Sequence, residues 1–206
     1  MQIQFVLDYR SPYAYLANTQ VAALGAQIIH EPVDIVAVMK TVNNQPTPMC
    51  PPKLKYAGLD ATRWARLYDI PFSPNWALLE AMRQGRCRGD LLSRAAIASQ
   101  RLGVFAKTND ALFGAVWAGS DDLASAEGRS QFAAGRALPE ELWAMAESAE
   151  VEEQLAANGE RAVRRGVFGV PTFFVDDEMF FGNDRLDFVK ARLQPAYEQI
   201  GNALVG

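Results

Sequence analysis

The chain has 206 residues, half of them hydrophobic and 21% charged, with a formal net charge of −4. That is enough chain to bury a sizeable core, its composition is not that of a disordered protein, and its Lys and Arg residues are scattered rather than gathered into the basic stripe of a nucleic-acid binder. No apolar run approaches the ~20 residues of a membrane-spanning helix, and the opening MQIQFVLDY lacks the basic start and cleavage site of a secretory leader, so a cytoplasmic protein is expected.

Residues Ile3 to Leu7 alternate as a β-strand, and Ser11-Pro12 then supplies a helix cap followed by proline at the first helical position. The spacing of Tyr13, Leu16, Ala17, Val21 and Leu24 predicts a helix up to Gly25. Gln27 to Val33 reads as a second strand, parallel to the first because a helix connects them. The stretch NNQPTPMCPPK is predicted to be an irregular loop. Helical periodicity follows at Ala61 to Tyr68, Trp76 to Arg83, Leu91 to Leu102, Asn109 to Trp117, Glu140 to Ala146 and Val151 to Arg165. VPTFFV and EMFF, separated by Asp176-Asp177, form a predicted β-hairpin, and Asn183-Asp184 is predicted to cap a last helix carrying Leu186, Val189, Leu193 and Ile200, with Pro195 as a kink point. This order describes an α/β, thioredoxin-like domain with a large all-helical insertion. Residues 1–33 and 167–206, with the helix at 151–166, make up the former, and residues 34–150 the latter.

In such a layout the start of the first helix faces the loop before the third strand, which brings Ser11 opposite Pro171. A cis Val170-Pro171 bond would leave the Val170 N–H and C=O to pair with an extended peptide. Taken alone, Ser11 is an ordinary helix cap. Ser11 and Ala14 stand where a disulfide enzyme carries cysteines, so dithiol exchange is excluded at this position. A serine nucleophile lacks its base, because the sole histidine, His30, falls in the second strand as a structural edge residue, and no G-x-S-x-G elbow surrounds Ser11. Cys50 and Cys87 read as unpaired structural thiols, and no metal-ligand spacing occurs.

What survives is a hydroxyl that, with the first-turn N–H groups, stabilises a thiolate supplied by a bound cofactor. Arg10 either adds positive charge there or is solvated. Glutathione is the tripeptide thiol that meets these requirements. Its γ-glutamyl end needs an anchor, and FFGNDRL offers one: Gly182 permits close approach, and Asn183 and Asp184 suit a carboxylate and an ammonium group, the alternative being a plain cap. Asn44 and Lys53 are cofactor contacts or solvated loop residues. Tyr9, Tyr13, Trp64, Trp76 and Phe168 are an aromatic wall beside the thiol or simply core.

The segments DYRSPYAYLAN, TRWARLYDIP, AVW, RGVFGVPTFFV and EMFFGNDRL, in this order and spanning essentially the whole chain, resemble the 2-hydroxychromene-2-carboxylate isomerase family. That family lies in the kappa-class glutathione transferase branch of the DsbA-like thioredoxin superfamily. The resemblance implies a homodimer with glutathione between the two domains, activated by Ser11, paired with the backbone of Val170 before cis Pro171, and held by Asn183 and Asp184. Asn44 and Lys53 fall where the family uses loop contacts. It also implies a cis-trans isomerase that interconverts 2-hydroxychromene-2-carboxylate and trans-o-hydroxybenzylidenepyruvate in naphthalene-type degradation. Two departures stand out: Arg10 replaces an apolar residue, and FSPNW is shorter than the family's aromatic-rich segment. A kappa-like transferase or peroxidase and a non-enzymatic glutathione- or peptide-binding module are the alternatives.

Overall fold

Ile3, Phe5 and Leu7 point to one side of the first strand, β1 (Gln2–Leu7), and Val6 to the other, and all four are buried. A strand with apolar residues on both sides belongs in the middle of a sheet. The computed structural model, which describes residues 1–194, places it there: the sheet order is β2 (Gln27–Pro32), β1, β3 (Thr172–Val175), β4 (Glu178–Phe181). β2 pairs with β1 in parallel, β3 and β4 are antiparallel to their neighbours, and β3–β4 is the expected hairpin. Ile200 and Pro195 lie outside the described residues.

α1 (Pro12–Asn18) follows β1 and stops at Asn18, short of the Gly25 that its periodicity predicts, the chain continuing as a 3-10 turn at Val21–Leu24. After β2 come α2 (Ile35–Thr41), α3 (Pro51–Leu67), α4 (Trp76–Arg83), α5 (Leu91–Arg101), α6 (Phe105–Trp117), α7 (Ala126–Gly135), α8 (Leu142–Ala146) and α9 (Ala149–Arg164), and α10 (Leu186–Arg192) follows the hairpin. This is the thioredoxin-like domain with a large helical insertion. Two helices are additions to the sequence expectation: α2, started by Asp34, whose carboxylate accepts from the Val36 and Ala37 N–H groups, and α7, started by Ser125. The Pro-rich stretch is less irregular than predicted. Thr47–Met49 forms a 3-10 turn, and α3 begins at Pro51, since proline in the first helical turn lacks only an N–H that would have no partner there.

Apolar packing covers both faces of the sheet. Ile3, Phe5, Leu7, Phe173, Val175 and Phe180 join one core with α1, α5, α6 and α10, while Val6 and Phe174 join a second with Ile35, Val38, Ala162 and Val167 of the opposite side. A third, smaller cluster packs Leu16 of α1 against Ala61 and Ala65 of α3. No helix among the described residues is long and apolar enough to cross a membrane.

Candidate functional site

Strand register decides which loops meet. Val6, near the end of β1, pairs with Thr172 at the start of β3, and Thr172 pairs with Phe181 at the end of β4. The segments after β1, before β3 and after β4 therefore converge at one end of the sheet. Ser11 arrives there as the cap of α1, its Oγ accepting from the Ala14 N–H at 3.2 Å. The Val170-Pro171 peptide is cis, and the Pro171 carbonyl accepts from the Gly182 N–H at 3.0 Å.

Ser11 Oγ also donates to the Val170 carbonyl at 3.2 Å. The Val170 C=O, expected from the sequence to be free for a peptide, is instead already engaged by the serine. The hydroxyl and the peptide-pairing carbonyl are one hydrogen-bonded unit, and a ligand N–H must compete with Ser11 for that oxygen.

The positive charge expected of Arg10 is also committed. Its guanidinium lies 2.5 Å from both Asp8 and Asp34, with Asp8 almost fully buried. Despite burial, which opposes the charge, the two carboxylates hold the Arg10 pKa well above its usual range. Two negative charges around one positive charge leave nothing with which to attract an anion at Ser11; Arg10 instead ties the β1–α1 loop to the start of α2.

At the third corner, Gly182 takes φ +112°, ψ 151°, a conformation open essentially to glycine alone. Asn183 and Asp184 do not cap the last helix. They begin a 3-10 turn, Asn183–Arg185, and α10 starts behind it without any side-chain cap. Asp184 faces solvent and pairs with Arg185 at 2.8 Å. Asn183, by contrast, is 3% exposed, and its side-chain Nδ2 is buried without a hydrogen-bond acceptor. A buried amide donor left unpaired costs about 1–3 kcal/mol, a cost that a ligand acceptor would remove.

Asn44 Nδ2 donates to the Phe168 carbonyl at 2.7 Å, so it braces the loop before the cis proline from outside. Lys53 sits on the first turn of α3, not in a loop, and lines an open cleft of about 410 Å3 with Tyr13, Thr47, Pro52, Tyr56 and Ala57. The aromatic residues disperse. Tyr9 is fully buried and donates to Asn109 Oδ1, Trp76 is exposed, Trp64 packs on Tyr68, and Phe168 packs on Phe181 with ring centroids 4.6 Å apart; of the five, Tyr13 alone reaches the cleft. Sequence reasoning passed over Tyr56, Asp60 and Tyr68. Tyr56 and Asp60 are one helical turn apart, a spacing visible in advance, and Tyr68 donates to the Asn183 carbonyl at 3.4 Å.

His30 lies within the edge strand β2, its ring 5.6 Å from Phe5 and 4.8 Å from Phe105. Burial pushes its pKa down to about 4, against a weaker upward pull from Asp110. Below an unfolded-state pKa of about 6.5 the unfolded chain binds the proton more readily than the folded one. Stability is therefore fully present above about pH 6.5 and falls as pH drops toward 4, by on the order of 2 kcal/mol after allowance for partial exposure. Urea midpoints of the wild type and His30→Phe at pH 7.5 and 4.5 check this: the wild type should lose more between the two pH values, and equal losses would remove His30 as the cause.

Comparison with known proteins bears on the family and the fold. The model of the DSBA-like thioredoxin domain family matches residues 2–194. A 2-hydroxychromene-2-carboxylate isomerase of Pseudomonas putida is 32% identical over 206 residues, with 94% of each chain covered. Glutathione S-transferase kappa 1 of Caenorhabditis elegans is 25% identical over 94% of this chain and 91% of its own. Among solved structures, a 2-hydroxychromene-2-carboxylate isomerase superposes with a TM-score of 0.78 at 26% identity, covering 98% of this chain and 99% of that one.

Proposed function

Because the chain belongs to the DSBA-like thioredoxin family, in the branch of the 2-hydroxychromene-2-carboxylate isomerases, we propose that it is a glutathione-dependent isomerase. Its substrates are 2-hydroxychromene-2-carboxylate and trans-o-hydroxybenzylidenepyruvate, or a related aromatic-pyruvate pair. The observation that carries this reading is the hydrogen bond from Ser11 Oγ to the Val170 carbonyl, a hydroxyl at the cis-proline loop where a disulfide enzyme has sulfur.

The residues present fit a tripeptide thiol: the unpaired, buried Asn183 amide is a donor for a carboxylate, Asp184 an acceptor for an ammonium group, and Val170 an extended-peptide partner. Asn44 acts through the Phe168 carbonyl, and Lys53 and Tyr13 face the aromatic acid in the cleft. Glutathione, when bound, would supply a thiol able to add reversibly to a conjugated double bond and so permit rotation without net redox change.

Ser11, whose hydroxyl donates to the Val170 carbonyl, is the residue that would hold the thiol sulfur: redirected to it, the hydroxyl would stabilise the ionised form and release the Val170 carbonyl to pair with a peptide N–H. Lowering a thiol pKa from ~8.5 to ~6.5 corresponds to roughly 2.7 kcal/mol and raises the thiolate fraction at pH 7 from about 3% to about 75%. Ala14 leaves no second thiol to trap the cofactor as a disulfide. A cytoplasmic homodimer serving naphthalene-type aromatic breakdown belongs to the same reading.

An absorbance assay of the chromene interconversion, with and without glutathione, tests it. Turnover should require the thiol and leave its concentration unchanged. Glutathione consumption would favour the transferase reading suggested by the kappa-class relative, and turnover without thiol would overturn both.

A further inference from the structure

The cleft between α1 and α3 has a feature that the thiol chemistry does not use. Tyr13 donates its hydroxyl to Asp60 Oδ2 at 3.0 Å, and Tyr56 donates to Asp60 Oδ1 at 3.4 Å. Both tyrosines line the cleft. A phenol has one hydrogen to give, and once a carboxylate holds it the oxygen can only accept. Burial and the bond to Asp60 raise the Tyr13 pKa well above the usual phenol range, so that hydrogen stays in place. Lys53, exposed in the same cleft, has no carboxylate partner among the described residues and is its cation.

We propose that Asp60 sets the specificity of this cleft: by drawing both phenol hydrogens to itself it leaves two acceptor oxygens near one cation, a combination that selects an aryl carboxylate bearing a free hydroxyl over the same acid without one. Pro52, Ala57 and the two tyrosine rings supply the apolar wall for the aryl group. A site built to accept from a ligand hydroxyl discriminates against the analogue that lacks it, and an open cleft does so less steeply than a closed one. The inference rests on the isomerase reading only for the identity of the natural substrate, since recognition does not require turnover.

The probes are trans-2-hydroxycinnamate and trans-cinnamate, titrated calorimetrically into the full chain. The hydroxylated acid should bind the wild type about 10-fold more tightly, one neutral hydrogen bond in size. In Asp60→Asn the amide can donate to one phenol and turn it into a donor, so the ratio should fall toward 1 while cinnamate affinity and Tm stay nearly constant. Lys53→Gln should weaken both acids alike, which locates them in the cleft. Tyr56→Phe, which keeps the Tyr13–Asp60 bond, should give an intermediate ratio and decides the matter if Asp60→Asn does not fold. A ratio that stays near 10 in the Asp60 and Tyr56 variants, equal binding of the two acids by the wild type, or no binding of either would overturn the proposal. Intact discrimination without chromene turnover would overturn the isomerase reading alone and support this one.

Discussion

Replacing Ser11 with alanine is expected to lower the rate of chromene interconversion at pH 7 by roughly 10- to 100-fold. A hydrogen bond to a charged group is worth about 1.5–3 kcal/mol, and each 1.36 kcal/mol in a barrier is tenfold in rate. The loss should shrink at pH 9, where a thiol of pKa ~8.5 ionises without help. The same substitution removes the cap that accepts from the Ala14 N–H, at about 1 kcal/mol of stability or some 2–4 °C in Tm. Ser11→Gly separates the two effects, because glycine caps a helix within a few tenths of a kcal/mol of serine yet has no hydroxyl. Both variants should lose rate, and alanine alone should lose the cap. Full activity in either, measured by absorbance beside a thermal melt, would remove Ser11 from the reaction.

The largest loss of stability is expected from Asp8→Ala. Asp8 is 1% exposed and accepts from the Arg10 N–H and Nε and from the Ile35 N–H, each at 2.9 Å, as well as from Arg10 Nη2. Its removal leaves the buried Ile35 N–H without an acceptor and Arg10 with Asp34 alone. Breaking a buried pair by deleting one partner costs about 3–5 kcal/mol, which for a chain of this size lowers Tm by about 10 °C. Asp8→Asn combined with Arg10→Met should cost much less, since the amide oxygen still accepts from Ile35 and the one charge left without a partner, on Asp34, is partly exposed and still accepts from the Val36 N–H at the start of α2. Urea denaturation of both variants checks the difference. A loss below about 1 kcal/mol in Asp8→Ala would mean that the loop before Ser11 is not held by this triad.

Local patterns made much of this fold legible. The β1 alternation, the Ser11-Pro12 start, the Trp76–Arg83 helix and the β3–β4 hairpin each follow from neighbours in sequence, because strand period, capping and turn chemistry act over a few residues. α2 was not legible in this way. Its IVAVMKT is rich in β-branched residues and shows no clean stripe, and it is helical because Asp34 caps it and Ile35 and Val38 pack beside Ala162 under the sheet. α7 is similar, with two glycines in AEGRSQFAAG and few apolar positions to reveal a period. The prolines of the 43–53 stretch pull both ways: they break the preceding structure, and at Pro51 they also begin a helix.

At the candidate site, the sequence by itself determined which chemistry is absent and where backbone exceptions fall. No sulfur stands at positions 11 and 14, a proline can turn cis at 171, and a glycine at 182 can take a backbone shape closed to other residues. These are properties of single residues and their immediate neighbours. Only the tertiary structure decided which groups still have something to offer a ligand. It gave Arg10 to Asp8 and to Asp34, 24 residues away, gave the Val170 carbonyl to Ser11 across 159 residues, set Tyr13 against Asp60 across 47, and buried the Asn183 amide without an acceptor. The physical reason is that a hydrogen bond or ion pair is spent on whichever partner strand register and helix packing bring within about 3 Å, and both depend on the whole fold rather than on any stretch of it.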